Sequence, residues 1–108
     1  MGFSGAEETY PFGPSTTVFK VRGKIFAIAS LEADPPSISL KCEPDLAVQL
    51  RNDHAAITPG YHLDKRHWNT VVHDGSVPAQ LLRDMVEDSY DLVVSAFPKR
   101  VQQELGWP

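Results

Sequence analysis

The sequence predicts an α+β two-layer sandwich, an antiparallel sheet of about five strands with helices packed on one face. Three observations carry that expectation. Two β-rich runs, at residues 18–21 and 24–29, are separated only by Arg22-Gly23, the spacing of a tight hairpin. Residues 37–42 alternate, with Ile38, Leu40 and Cys42 on one side and Ser37, Ser39 and Lys41 on the other. One dry and one wet face is the pattern of an antiparallel sheet covered on a single side. Near the C-terminus, Leu82, Met85, Val86, Ser89, Val93, Ala96 and Phe97 recur at three- and four-residue steps, the stripe of a helix that covers a sheet.

The elements follow in order. Residues 1–16 hold three glycines and two prolines without periodicity, so they are expected to form an irregular lead-in to a single domain at 17–108. The hairpin comes next, and Glu32-Ala33-Asp34-Pro35-Pro36 turns the chain, because proline removes a ladder donor and restricts its neighbour. After the alternating strand, Glu43-Pro44-Asp45 opens a short helix, with proline tolerated in the first turn and carboxylates favoured by the helix dipole. Leu46 and Leu50 are expected to stack one turn apart on it, and Asn52-Asp53 to end it. Residues 55–61 suit a short strand broken by Pro59-Gly60. Residues 68–73 suit a better one, with Trp68, Thr70 and Val72 on one side and Asn69, Val71 and His73 on the other. The long helix should run from about Pro78 to Phe97, capped by Ser76 after the Asp74-Gly75 turn. Pro98 begins a last short helix carrying Val101 and Leu105, with Gly106 as its stop. The order β-β-β-α-β-β-α describes the sandwich.

Bulk properties narrow the function. A chain of 108 residues suits one domain, and 42% hydrophobic with 22% charged residues suits a globular one. Met1-Gly2-Phe3-Ser4 has neither the basic start nor the apolar block of a secretory signal, and no apolar run approaches a membrane span, so the cytoplasm is expected. Cys42 is the only cysteine, which excludes an internal disulfide. Ten basic against fourteen acidic residues give a net charge of -4, so any affinity for nucleic acid must come from a local patch. Residues 17–74 hold seven basic and seven acidic residues, whereas 75–108 hold three and five.

Catalytic and metal patterns are missing. His67 and His73 share a strand face but lie roughly 20 Å apart, and no carboxylate pair or second cysteine completes a ligand set, so no metal is expected. Cys42 shares the apolar side of its strand and should be an inert packing thiol. No nucleophile elbow, phosphate loop or dinucleotide fingerprint is present, and neither an enzyme nor a cofactor is expected. Asp84, Glu87, Asp88 and Asp91 fall together on the outer side of the long helix, either as a solvated surface or as a dock for a basic partner. That surface would repel phosphate. Basic and aromatic residues gather elsewhere: Lys20, Arg22 and Lys24 flank the hairpin, and Lys41 lies on the wet side of the third strand. Tyr61-His62-Leu63-Asp64-Lys65-Arg66-His67-Trp68 packs cations, histidines and aromatics into one segment. Such residues can hold phosphates while an aromatic ring stacks on a base. Equally, Tyr61 and Trp68 can be core anchors, or with His62 and His67 line a small-ligand pocket.

Several segments together resemble the MmcQ/YjbR family. They are Ala6-Glu7-Glu8, Pro11-Phe12-Gly13, residues 19–26, Ser39-Leu40-Lys41-Cys42, residues 59–71 and residues 88–93, in order from about residue 5 to 100. The stretch from Tyr61-His62 through Lys65 to His67-Trp68-Asn69 is the most specific. The resemblance implies the sandwich described as CyaY-like or secretion-chaperone-like, and a DNA-binding function directed at the backbone without catalysis. Lys24, Lys41, His62, Lys65, His67, Trp68 and Ser89-Tyr90 match the family's polar positions, and it offers no catalytic residues to transfer. Fold kinship also supports a chaperone-like interaction module acting through the acidic helix. Family members usually begin with a helix ahead of the segment that Ala6-Glu7-Glu8 matches, and this chain begins at about that point. Apolar sheet surface is therefore expected to be exposed, or covered by the lead-in or by another copy, so that the protein is a monomer or a homodimer.

Overall fold

The computed structural model describes residues 3–60 and 63–108. Their elements run β1 (Ala6–Thr9), β2 (Thr16–Val21), β3 (Lys24–Ser30), β4 (Ser37–Lys41), α1 (Pro44–Asp53), β5 (Ile57–Pro59), β6 (Trp68–Val72), α2 (Ala79–Ser95) and α3 (Lys99–Glu104). Among the described residues the strands form one open sheet of six, ordered β1-β2-β3-β4-β6-β5, with every neighbouring pair antiparallel. The predicted fold class holds, with one more strand than expected.

The hairpin forms for the expected reason. Arg22 and Gly23 take φ of 49° and 79°, and two consecutive positive values suit the twist of a two-residue turn. The extra strand is β1, inside the segment read as irregular. Its two glutamates are exposed and its side chains follow no apolar alternation; it is an edge strand held by pairing to β2. Backbone pairing of that kind leaves little trace in composition.

Register sorts the side chains into two faces. Phe19, Ala27, Leu40 and Asn69 lie in one row, and Val71 pairs with Ile57 beside it. This face carries the core, which Ala47 and Leu50 of α1, Met85, Tyr90, Val93 and Val94 of α2, and Leu105 after α3 close from above. The register slips between Phe19 and Lys20, and the extra β3 residue is Phe26, fully buried against Tyr90. Val18, Ile28, Ser39 and Thr70 form the opposite row, on which no helix packs; the predicted sides hold, but Val18, Ser39 and Thr70 are buried, so the middle of that face is not the wet surface expected.

Two local expectations are corrected. Leu46 is exposed, and Ala47, three residues before Leu50, is the buried partner, so the buried stripe of α1 follows the three-residue step rather than the four-residue one. Ser76 does not cap α2: its hydroxyl donates to Asp74 Oδ1 at 2.6 Å, and the N-cap position is Pro78, which makes no side-chain cap. The Asp74-Gly75-Ser76 turn satisfies itself and leaves the helix to begin two residues later.

Candidate functional site

Antiparallel order places the end of β2, the start of β3, the end of β4 and the start of β6 at one end of the sheet. Most of the basic residues singled out from the sequence sit there. Register then divides them. Lys41 lies directly opposite Trp68 and shares the helix-free face with Ser39 and Thr70. Lys20 alternates with Phe19 and Val21, both of the core face, so it joins the same helix-free face, two strands or roughly 10 Å from Lys41. Trp68 is half-buried and stands outside the core cluster. Trp68 as a core anchor is not what the structure shows: Val71 belongs to the core cluster and Asn69 is fully buried beside it, one step out of phase.

The remaining cations are placed differently. Lys24 pairs with Val21 and so belongs to the helix-covered side, because the extra residue at Phe26 shifts the parity of β3. Arg22 reaches Glu104 after the hairpin turn, at 3.6 Å, which fastens the turn to α3. His67 Nε2 stands 3.8 Å from the Asp64 carboxylate. Lys65 Nζ donates to the Gly60 carbonyl at 3.4 Å, and Arg66 is exposed with its backbone N–H on Asp64 Oδ1. Among the described residues Lys20, Lys41 and Arg66 make no ion pair. Glu7 lies opposite Lys20 in register, also without an ion pair, and tempers the positive potential at that edge. Tyr61 and His62, both singled out from the sequence, lie outside the described residues.

The loop that carries Lys65 and Arg66 is braced from beneath. Arg51, in the last turn of α1, donates to the Lys65 carbonyl at 3.2 Å and to Asn69 Oδ1 at 2.9 Å. Asn69 is fully buried and donates in turn to the Ala47 carbonyl at 3.3 Å. At the loop's other end Gly60 N–H donates to the Trp68 carbonyl at 2.9 Å. A side chain at Gly60 would sit 2.7 Å from Trp68 Cβ, closer than carbon atoms approach, so only glycine fits there. Sequence inspection missed Arg51 and Asn69. A polar residue at a core-phase position of β6 was the available signal.

Ser89 and Tyr90, matched to the family as polar positions, are structural. Ser89 is fully buried; its hydroxyl donates to the Phe26 carbonyl at 2.5 Å and accepts from the Lys41 N–H at 2.9 Å. It thereby clips α2 to the sheet where the extra residue of β3 interrupts the ladder. Tyr90 donates to the Ser4 carbonyl at 2.6 Å and stacks on Phe3, and burial raises its hydroxyl above the ordinary tyrosine range.

The acidic residues of α2 do not act as one surface. Asp88 and Asp91 join Cys42, Glu43 and Leu46 around a cavity of about 310 Å³ between α1 and α2. Glu87 lies on the other flank of the helix, at a groove that Phe3 and Val86 also line. Desolvation, and then repulsion from Asp91, Asp84 and Glu43, raises the Asp88 carboxyl above its usual range. Burial, followed by Asp88 and Glu43, raises the Cys42 thiol, so it stays protonated at neutral pH. Asp91 accepts from Trp107 Nε1 at 2.8 Å.

Known proteins resemble this chain. The protein YbdF of Escherichia coli O157:H7 is 39% identical over 99 residues, spanning 92% of this chain and 81% of its own length. YjbR of Escherichia coli K12 is 35% identical over 105 residues, spanning 97% of this chain and 89% of its own. In the crystal structure of Deinococcus radiodurans DR2400, 42% identical, the superposition covers 99% of this chain and 82% of that one with a TM-score of 0.93. The YjbR family model matches residues 1–92, across the hairpin, the Gly60–Trp68 loop and most of α2, and the chain belongs to the YjbR family.

Proposed function

We propose that this protein binds DNA through the phosphate backbone, without catalysis, on the helix-free face of its sheet. One observation carries the proposal: strand register sets Lys20, Lys41 and Trp68 on the same helix-free face, at the end where the Lys65-Arg66 loop enters β6. Cations of this kind neutralise phosphates, and a partly buried indole offers its remaining surface for stacking on a base that is exposed or unpaired. Ser39 and Thr70 between them are occupied with each other at 2.8 Å, so base-edge readout has few donors and sequence preference should be slight. The acidic cavity lies on the opposite, helix side, which keeps the repelling charges away from the phosphates. Fluorescence anisotropy with a short duplex at low salt tests this. Reversing Lys20 and Lys41 together to glutamate should weaken binding at least about tenfold. Unchanged affinity would remove the face from consideration.

A second reading is favoured by the raised Asp88 carboxyl. Glu43, Asp88 and Asp91 around an apolar-floored cavity, with Asp84 nearby on α2, repel one another, and a basic side chain from a protein partner would relieve them. A partner captured on the immobilised protein should then be lost when Asp84, Asp88 and Asp91 are reversed to lysine, and kept when Glu87 alone is reversed.

A further inference from the structure

Register draws a line of side chains across the helix-free face at its basic end. Lys20 pairs with Ile25 and Lys41 pairs with Trp68, so β2, β3, β4 and β6 contribute a cation, an aliphatic group, a cation and an indole in turn. At about 4.8 Å per strand, roughly 10 Å separate Lys20 from Lys41, and the indole lies one strand farther on. Ile25 and Trp68 are partly buried, yet neither packs against the hydrophobic core. Trp68 has cations on two sides, Lys41 across the strand pairing and Arg66 two residues before it. Two carboxylates adjoin the line: Glu7 opposite Lys20, and Asp64, which accepts the Arg66 backbone N–H and lies 3.8 Å from His67. Among the described residues neither forms an ion pair with Lys41 or Arg66.

The breadth of this face decides which form of DNA suits it. Six strands span roughly 24 Å, about twice the width of a major groove, and no helix packs on this side to enter one. Such a face meets a duplex only at its outer phosphates, where the bases stay stacked inside and the indole finds no partner. A single strand lets its bases turn out. Protein surfaces that hold one combine cations along the backbone with aromatic rings on which the bases stack. We infer that the helix-free face takes single-stranded DNA in preference to duplex, with Lys41 and Arg66 on its phosphates and a base stacked on Trp68. The inference rests on DNA binding at this face and adds the form of DNA that it selects.

Fluorescence anisotropy at one low salt concentration, with three labelled probes of equal length, tests the selection. The probes are oligothymidine, a duplex, and an abasic strand that keeps the phosphates and lacks the bases. Oligothymidine should bind tighter than the duplex and at least about fivefold tighter than the abasic strand, the scale of one stacked base. Trp68→Leu should bring oligothymidine down to the level of the abasic strand and leave the abasic affinity unchanged. In the unaltered chain, oligothymidine should quench tryptophan emission and the abasic strand should not, a readout that needs no variant to fold. Oligothymidine bound no tighter than the duplex or the abasic strand would overturn the inference and leave the backbone assignment standing. No binding of any probe would overturn both.

Discussion

At the residue scale, the densest stabilising contacts come from polar groups inside the core. Ser89 satisfies one carbonyl of β3 and one N–H of β4 that the interrupted ladder leaves unpaired. Ser89→Ala should therefore lower the unfolding free energy by about 2–3 kcal/mol, more than loss of a single hydrogen bond, because two buried groups lose their partner. Urea denaturation measures it, and a loss below about 0.5 kcal/mol would mean the two groups find other partners. The position of Ser89 on the buried stripe was legible in the sequence. Its role was not, because its partners are backbone atoms 63 and 48 residues away. Asn69 and Arg51 pose the same difficulty: a buried amide in a strand is visible as an anomaly, but the guanidinium that answers it belongs to a different element.

Elements differ in how plainly the sequence announces them. The alternation in β4 and the three- and four-residue stripe of α2 were readable because burial dictates them. β1 was not, since an exposed edge strand has no buried set to display. The parity change at Phe26 was equally hidden, and it alone sends Lys24 to the helix side while Lys20 stays on the open one. A bulge is specified by how neighbouring strands pair, beyond the reach of local pattern. On α2 the acidic run has a pH signature. Asp88 titrates above its unfolded value, so the folded chain holds more protons than the unfolded one in the window between the two. Stability contributed by the protonated group is full below the ordinary aspartate range and is lost as pH rises through the raised value. Asp88→Asn should remove that decline and stabilise the protein by about 0.3 kcal/mol near neutrality, the scale of one like-charge contact a turn apart. Thermal melts of both proteins across the acidic range check it; identical pH profiles would show that Asp88 is not repelled. Asp74 runs the other way: the hydroxyl and N–H of Ser76 lower its carboxyl, so its contribution is lost as pH falls.

Across the whole molecule, an acidic total conceals a division of charge by face. The net charge of -4 argues against nucleic acid when taken as a sum. The fold sets Asp84, Asp88 and Asp91 with the helices and leaves Lys20 and Lys41 on the helix-free face of the sheet. Composition could not show this, because sidedness is decided by strand order and register. Of the candidate basic set, register places Lys20 and Lys41 on one face, while Arg22 and His67 stand beside carboxylates and Lys24 belongs to the helix side.

The most direct measurement is the affinity of the unaltered protein for duplex DNA across a salt series. With Lys20, Lys41, Lys65 and Arg66 each near a phosphate, log affinity should fall with log salt at a slope of roughly -3 to -4. A slope near zero, or no binding at low salt, would contradict the assignment of the helix-free face to the phosphate backbone.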